Sequence, residues 1–415
     1  MTKQKMPKCL TGLLGMAVVL APAFRAIHAG PRPGADAAAR ILDQTGLKGG
    51  LIVHVGCGDG KLTAALRANE SFLVHGLDKD PENVTRARRY VRSLGLYGPV
   101  TIDRLSDKRL PYADDLVNLV VVDDSPAVSM SEIMRVLAPK GMACTRKGGK
   151  WSTITKPWPE EIDQWTHYMH DAQGTFVSND TSLGPPRGVR WTGGPKWARN
   201  HEQTASLQAM VSAEGRIFYV MDEGLAESIQ LPSKYMLTAR DAFNGIVLWR
   251  KNLDHWFNYL WPFKSGPDVV TRRLVAKDVR LFAALELGGA SLSRIRTAAP
   301  YSMSYSERKV ENWTSEKFAK QKVSYLPDYG YNLVCGEERI LLDSAARNDM
   351  VALPPATMWR SSGYENLTSL VVADGRCFFA EKDSHTAHCL DAKSGKSQWY
   401  YVTGERIDSP PAIIC

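Results

Sequence analysis

Gly56, Gly58 and Gly60, interleaved with Cys57 and Asp59, follow the apolar run GLIVHV (50–55) and open the helical sequence KLTAALRA. Glycines between a strand and a helix let the backbone approach a ligand closely, and the helix presents its N-terminal N–H groups. Asp78 stands 18 residues beyond Gly60, at the end of the next apolar run, SFLVHGL. A carboxylate there can accept hydrogen bonds from ribose hydroxyls, so strand, turn, helix and spaced acid together describe a nucleotide cradle. Asp123 and Asp124 end a third apolar run, LVNLVVV (116–122), and read either as a general base or as solvated carboxylates at a strand end. In the second half, His167, His170 and Asp171 lie close together, with His201-Glu202 able to converge on them. This group reads as a metal or acid–base site, or as side chains that pack, with Trp165, onto the first strands of the second half.

The cradle needs a sheet behind it. Pro81 opens a predicted helix with Val84, Ala87, Val91 and Leu94 on one face, while Arg86, Arg88, Arg89 and Arg92 read as a solvent-facing or a substrate-binding face. PVTID is a third strand. LVNLVVV is a fourth, apolar throughout as a buried parallel strand should be. Met130, Ile133, Met134 and Leu137 follow at helical spacing, and Gly141-Met142-Ala143-Cys144 begins a fifth strand. Alternating strands and helices with a glycine turn after the first strand imply an α/β doubly wound parallel sheet over residues 34–156.

These motifs resemble class I S-adenosylmethionine-dependent methyltransferases, a Rossmann-like fold. VGCGDG matches the family's first motif, GLDKD its second, LPYADDLVNLVVV its fourth strand and RVLAPKG the turn before strand five. The resemblance implies that Gly56, Gly58 and Gly60, with Cys57 among them, line the methionine side of S-adenosylmethionine. It implies that Asp78 holds the ribose and that Ser106 or Asp107 contacts the adenine. The family usually continues with a helix and two further strands, whereas RKGGKWSTITKPW (146–158) suits a hairpin. Asp123-Asp124-Ser125-Pro126 lacks the second proline and the aromatic of the family's amino-methyltransferase signature, which leaves the role of Asp123 and Asp124 open.

From about residue 160 the pattern changes to short strands and turns. MVSAEGRIFYV (210–220) aligns with LVVADGRCFFA (370–380), and DAFNGIVLW (241–249) with DAKSGKSQW (391–399). Weaker copies of the first element occur at 274–284 and 333–343. Repeats of this kind predict the four-stranded blades of an all-β propeller over residues 160–415. The Gly-Arg step is a hairpin turn, the Asp-Ala-x-x-Gly step a turn before the outer strand, and the tryptophan docks between blades. The segment is similar to pyrroloquinoline quinone (PQQ) type repeats. PQQ itself is not implied, because the adjacent-cysteine pair of the quinone-binding enzymes is absent. RIDSPPAIIC (406–415) reads as the first strand of a further blade, making the propeller partial, or as a strand completing an earlier one.

Lys3, Lys5 and Lys8 precede the uncharged run 9–24, and Ala29 precedes a plausible cut before Gly30. Residues 1–29 therefore read as a signal peptide or, alternatively, as an uncleaved anchor, and either places the rest of the chain in the periplasm or outside the cell. That run is short for a membrane span, and no other follows. The 415 residues carry a net charge of +8 without a dense basic block, so nothing points to nucleic acid. A hairpin centred near Asp383 would face Cys377 to Cys389 and permit a disulfide in an exported protein, while a one-residue slip would separate them. Three functions stand as expectations. The first is an S-adenosylmethionine-binding methyltransferase-like protein with an unknown acceptor. The second is a non-enzymatic exported scaffold whose propeller binds protein or glycan. The third is a quinoprotein-type oxidoreductase.

Overall fold

The structure is a computed structural model. It describes residues 34–123, 128–182, 184–185, 188–194, 206–225, 233–253, 256, 269–277, 280–286, 331–337, 357–364, 367–381, 384–405, 407 and 413. The expected leader (1–29), Asp124 and His201-Glu202 lie outside these residues.

Helix α1 (Ala35–Thr45) precedes β1 (Gly50–Val55), α2 (Lys61–Leu66), β2 (Phe72–Asp78), α3 (Pro81–Ser93), β3 (Val100–Arg104), β4 (Val117–Asp123), α4 (Met130–Val136), β5 (Leu137–Lys147) and β6 (Lys150–Thr155). The six strands form one sheet in the order β3-β2-β1-β4-β5-β6. The first five are parallel, and β6 runs antiparallel to β5. Strand order reverses at β1, which opens a crevice at the carboxyl ends of β1 and β4. Strand alternation divides the core. Ile52, Val74, Leu119, Val121 and Cys144 pack with Val84, Ala87 and Val91 of α3, while Val53, Val55, Val120 and Val122 pack with Ile133 and Val136 of α4.

Two boundaries differ from expectation. Leu137 leaves α4 as its C-cap and begins β5, and Met130 is exposed at the other end of the helix. β5 starts at Leu137 rather than Gly141, because Leu137 pairs with Val117 before the register shifts to Leu119–Met142. The hairpin expected after strand five is β5–β6, turning at Gly148 (φ 57) and Gly149 (φ 79).

The second half holds three antiparallel sheets of four strands each. The first is β7 (Leu207–Ala213), β8 (Arg216–Asp222), β9 (Tyr235–Asp241) and β10 (Val247–Leu253). The second is β11 (Leu274–Lys277), β12 (Arg280–Glu286), β13 (Tyr331–Glu337) and β14 (Thr357–Tyr364). The third is β15 (Leu367–Ala373), β16 (Arg376–Glu381), β17 (Thr386–Asp391) and β18 (Ser397–Val402). The copy at 274–284 is the β11–β12 hairpin. The copy at 333–343 is not a first element: its described part belongs to β13, which pairs with β12 and β14. Val211, Phe218 and Trp249 of the first sheet pack with Leu274, Ala276, Leu281 and Ala283 of the second. Val275, Phe282 and Trp359 of the second pack with Leu370, Val372, Cys377 and Phe379 of the third.

Tryptophans fasten the Asp-Ala-x-x-Gly turns. Trp191 Nε1 donates to Ala242 O at 3.0 Å and Trp359 Nε1 to Ala392 O at 3.1 Å. A Cβ on Gly245 would come within 2.3 Å of the Trp191 ring, and one on Gly395 within 2.4 Å of Trp359. Both glycines are also at positive φ, so only glycine admits this stacking. A connecting segment bonds to the first strand of each of the three antiparallel sheets. Ser212 N donates to Trp165 O (2.7 Å), Ala276 N to Thr166 O (2.9 Å) and Val372 N to His167 Nε2 (3.1 Å). Ile413 N donates to Ala172 O at 3.1 Å in the same segment.

The cysteine hairpin takes the slipped register. Cys377 faces Leu390 and Phe378 faces Cys389, so the two buried thiols lie on opposite faces and are not bridged to each other. No helix among the described residues is long and apolar enough to cross a membrane.

The two halves are bonded together. Ser71 Oγ donates to Leu248 O at 2.6 Å, and Asn118 Nδ2 to Asp241 Oδ2 at 2.6 Å. Asn118 Oδ1 accepts Leu51 N and Asn244 Nδ2, both at 2.7 Å. A cleft of about 570 Å³ lies beside this seam, lined by Thr45, Asn118, Lys140, Arg216 and Asp241 among others.

Candidate functional site

The glycine turn sits where the sheet order reverses. Gly56 N and Cys57 N both donate to Leu77 O, at 2.8 and 3.1 Å, which pins the turn to β2. Gly60 N closes it onto Cys57 O at 2.9 Å. Gly56 (φ 80), Gly58 (φ 54) and Gly60 (φ 80) all take the left-handed conformation. Gly60 serves packing: a Cβ there would lie 2.8 Å from Ala87 Cβ, so the missing side chain lets α2 and α3 touch. Gly58 is different, since a Cβ there would meet nothing within 4 Å. The space above Gly58 is open to a ligand.

Asp78 is buried at 7% exposure beneath this turn. Its Oδ2 accepts Gly58 N at 2.8 Å, and its Oδ1 accepts Asp80 N at 3.0 Å and Asn83 Nδ2 at 3.2 Å. An ionised carboxylate has about four acceptor positions. Three are filled from within the protein, leaving room for one ribose hydroxyl rather than a pair. Asn83 was not singled out from sequence, although its place in the first turn of a helix capped by Asp80 is the available signal.

Cys57 does not face the ligand space as the resemblance implied. Its side chain is 4% exposed and packs into the core with Ile52, Val74 and Ala64. Burial, with Asp78 nearby, pushes its thiol up to about 12. Ser106 and Asp107 lie on an exposed loop after β3, where Asp107 Oδ1 accepts Lys108 N at 2.6 Å. Sequence reasoning also missed His54, on the face of β1 that carries Ile52. It is buried, and its Nδ1 lies 2.8 Å from Thr63 Oγ1 of α2. Burial pulls its pKa down to about 4 against the opposing pull of Asp78, so the ring is neutral at pH 7.

At the end of β4, Asp123 Oδ1 lies 3.3 Å from Arg146 Nη1 of β5, and the Arg146 guanidinium lies 5.9 Å from the centre of the Trp151 ring. Asp123 is thus half of an ion pair rather than a lone carboxylate. Of the four arginines on α3, Arg88 turns back to the sheet edge, donating to Ile102 O at 2.8 Å and to Asp103 Oδ1 at 2.5 Å. Arg86, Arg89 and Arg92 are exposed, as expected.

The histidines of the connecting segment are structural. His170 Nε2 lies 2.8 Å from Asp163 Oδ2 and its Nδ1 3.1 Å from Asp171 Oδ2, so both ring nitrogens face carboxylates. His167 Nε2 accepts Val372 N, and its Nδ1 meets Thr166 Oγ1 at 2.8 Å. Burial first, and Lys277 second, pull His167 down to about 4. With every ring nitrogen engaged, His167, His170 and Asp171 do not form the metal site considered from sequence. Among the described residues, no cluster of three His, Cys, Asp or Glu side chains could hold a metal ion.

Residues 52–141 match the methyltransferase domain family. The match spans the glycine turn, Asp78 and β4. Methyltransferase GfsG of Streptomyces halstedii is 35% identical over 97 residues, which is 22% of this chain and 34% of that protein. The chain thus spans about a third of the length of this curated relative. Similar solved structures include an S-adenosylmethionine-dependent methyltransferase from Methanococcus maripaludis, 23% identical, covering 28% of this chain and 56% of that one with a TM-score of 0.26. Another, from Aquifex aeolicus, is 24% identical over 30% of this chain and 71% of that one, with a TM-score of 0.24. Residues 52–141 are thus methyltransferase-like in sequence.

Proposed function

We propose that the chain binds S-adenosylmethionine at the β1–β4 crevice, with Gly56, Gly58 and Gly60 shaping the turn and Asp78 taking a ribose hydroxyl. The cofactor would supply an electrophilic methyl group there. One observation carries this reading: the Gly58 N–H donates to Asp78 Oδ2 while the space above Gly58 stays open. The turn is held rigid from below and left accessible from above, which suits a ligand that lies on backbone. Ser106 and Asp107 are near enough in sequence to the end of β3 to serve as the adenine-side wall.

The second half is read as blades of a PQQ-type β-propeller whose role is to bind a protein or glycan. Three consecutive four-stranded sheets, tryptophans seated on Asp-Ala-x-x-Gly turns, and first strands gathered on one central segment support it. Export is part of this proposal and rests on the charge pattern of residues 1–29. Cleavage before Gly30 in secreted material is its check.

A second reading has its own observation. Three of the four acceptor positions of Asp78 are satisfied internally, as in a domain that keeps the fold without binding cofactor. Calorimetric titration of S-adenosylmethionine into the full chain separates the two. Binding lost in Asp78→Asn and Gly58→Ala, both still folded, supports the first. A folded wild-type chain that shows no binding supports the second, and makes the β-rich half the place of function.

A further inference from the structure

The strand register lines up one row of residues across the carboxyl end of the sheet. Asp78 pairs with Arg104, Asp123 with Arg146, and Arg146 with Trp151. The glycine turn leaves β1 between Asp78 and Asp123, so the Asp123–Arg146–Trp151 group continues the same row over the next three strands, β4, β5 and β6. This group is built rather than scattered. Arg146 is directly opposite Trp151 in the hairpin, within cation–π reach of its ring, and it is paired to Asp123 on the other side. The Arg146 side chain nonetheless keeps 39% exposure. A guanidinium placed between an aromatic ring and a carboxylate offers a positioned set of donors.

The hairpin tip adds charge of the same sign. Lys147 and Lys150 are direct cross-strand partners on either side of the Gly148-Gly149 turn, and both are exposed. Like charges placed directly opposite in a hairpin destabilise it. Among the described residues, Arg146, Lys147 and Lys150 set three cations beside the carboxylate of Asp123 at this corner. An anion at the corner would relieve that repulsion.

We infer that the Arg146–Trp151 corner, with Lys147 and Lys150, is the acceptor side of the proposed site and takes a small planar molecule bearing a carboxylate. Arg146 pairs with the carboxylate, Trp151 positions the guanidinium, and the two lysines raise the local concentration of anions. Arg146 is a specificity residue in this scheme. The inference rests on the cofactor reading for the word acceptor, but not for the anion subsite itself.

The test uses the full chain, with benzoate as the anionic planar probe and benzamide as its neutral isostere. Titrations are run at low salt and at 0.5 M salt, and S-adenosylmethionine is titrated separately into every variant. The expected result is benzoate affinity at least fivefold above benzamide and weakened by salt. Arg146→Gln should lower benzoate affinity at least fivefold and Lys147→Ala/Lys150→Ala at least twofold, with S-adenosylmethionine affinity unchanged. Because Arg146→Gln also breaks the pair to Asp123, the lysine variant, altered only at exposed positions, keeps the test decisive if the arginine variant misfolds. Equal affinity for benzoate and benzamide overturns the anion subsite, as does benzoate binding untouched by the lysine changes. Selective benzoate binding without any S-adenosylmethionine binding leaves the subsite standing and removes the cofactor reading instead.

Discussion

The Asp78 carboxylate accepts the backbone N–H of Gly58 at 2.8 Å, tying the top of the glycine turn to the end of β2. The same carboxylate holds Asp80 N and Asn83 Nδ2, so one buried side chain fixes both the turn and the start of α3. Binding and stability therefore meet at Asp78.

Replacing it separates the two effects. Asp78→Ala leaves three partly exposed donors, Gly58 N, Asp80 N and Asn83 Nδ2, without their acceptor and should cost about 2 kcal/mol, since roughly 1–3 kcal/mol applies to each fully buried unsatisfied group and water reaches these. Asp78→Asn keeps one carbonyl oxygen and should cost about half as much. Both should lose S-adenosylmethionine binding. Chemical denaturation of the two variants is the check, and an Asp78→Ala chain as stable as wild type would mean that the bonds to Gly58 and Asn83 contribute nothing.

The glycines at positions 58 and 60 should fail in different ways. Gly58→Ala meets no atoms and bears only the strain of positive φ, about 1 kcal/mol, but fills the open space above the turn. Gly60→Ala bears similar strain and also drives a Cβ to 2.8 Å from Ala87 Cβ and 3.0 Å from Ala87 Cα. It should cost several kcal/mol, as overpacking does at about 1–3 kcal/mol on top of the backbone strain. Melting temperature and cofactor titration together decide: Gly58→Ala folded and non-binding, Gly60→Ala strongly destabilised. The reverse order would contradict the roles assigned to these residues.

Acid should weaken the fold well before the carboxylates titrate. His54 and His167 are held neutral by burial with pKa values near 4, below the ordinary histidine value of 6.5. The unfolded chain therefore binds more protons between those limits, and stability falls as pH drops from 6.5 toward 4. Each histidine contributes on the order of 3 kcal/mol over that window. Asp163 and Asp171 have lowered values, so their contribution is present above the ordinary carboxylate pKa and lost only at still lower pH. Denaturant melts at pH 7, 6, 5 and 4 should show this slope, and His54→Gln/His167→Gln should flatten it between pH 6.5 and 4. An unchanged slope in the double variant would place the acid sensitivity elsewhere.

Local features were legible in the sequence, and long-range choices were not. The glycine turn, the apolar β4 and the Asp-Ala-x-x-Gly turns each follow from a few neighbouring residues. The register of Cys377 against Leu390 depends on a shift of one position in a hairpin, which exchanges the faces without changing the alternation. The segment at 333–343 carries the letters of a first element, but β13 is placed by its pairing with β12 and β14. Asn118, a polar residue in an apolar strand, gave no hint that its amide joins two halves 123 residues apart. Trp249 and Trp399 occupy the same repeat position, yet one is 6% exposed and the other 45%, because only the first has a neighbouring sheet packed against it among the described residues.

That contrast has an energetic consequence. Trp359→Ala removes a ring that is 9% exposed, stacked on Gly395 and bonded to Ala392 O, and should cost about 3–5 kcal/mol as large buried truncations do. Trp399→Ala removes a half-exposed ring packed on Phe378 and should cost less than about half of that. Thermal melts of the two variants under one condition settle the order. Equal losses would mean that Trp399 is as tightly covered as Trp359.

The seam at Asn118 predicts how the two halves unfold. Asp241 is buried, and burial raises its pKa against the opposing hydrogen bond from Asn118. Asn118→Ala removes that donor, and it also removes the oxygen that accepts Leu51 N and Asn244 Nδ2. A buried carboxylate stripped of a partner costs about 1–3 kcal/mol, more when it is charged. Most of the loss falls on the seam, since Asn118 bonds across from β4 to Asp241 and Asn244, and only its bond to Leu51 N lies within the first sheet. Wild type should therefore unfold in one transition. Asn118→Ala should show two, the first sensitive to pH because Asp241, left with Phe243 N and Asn244 N but without the Asn118 amide, takes up a proton more readily. Calorimetry at pH 7 and pH 5 resolves this. A single transition in the variant, with the same enthalpy as wild type, would mean that Ser71 Oγ–Leu248 O and the packing around them hold the halves together without Asn118.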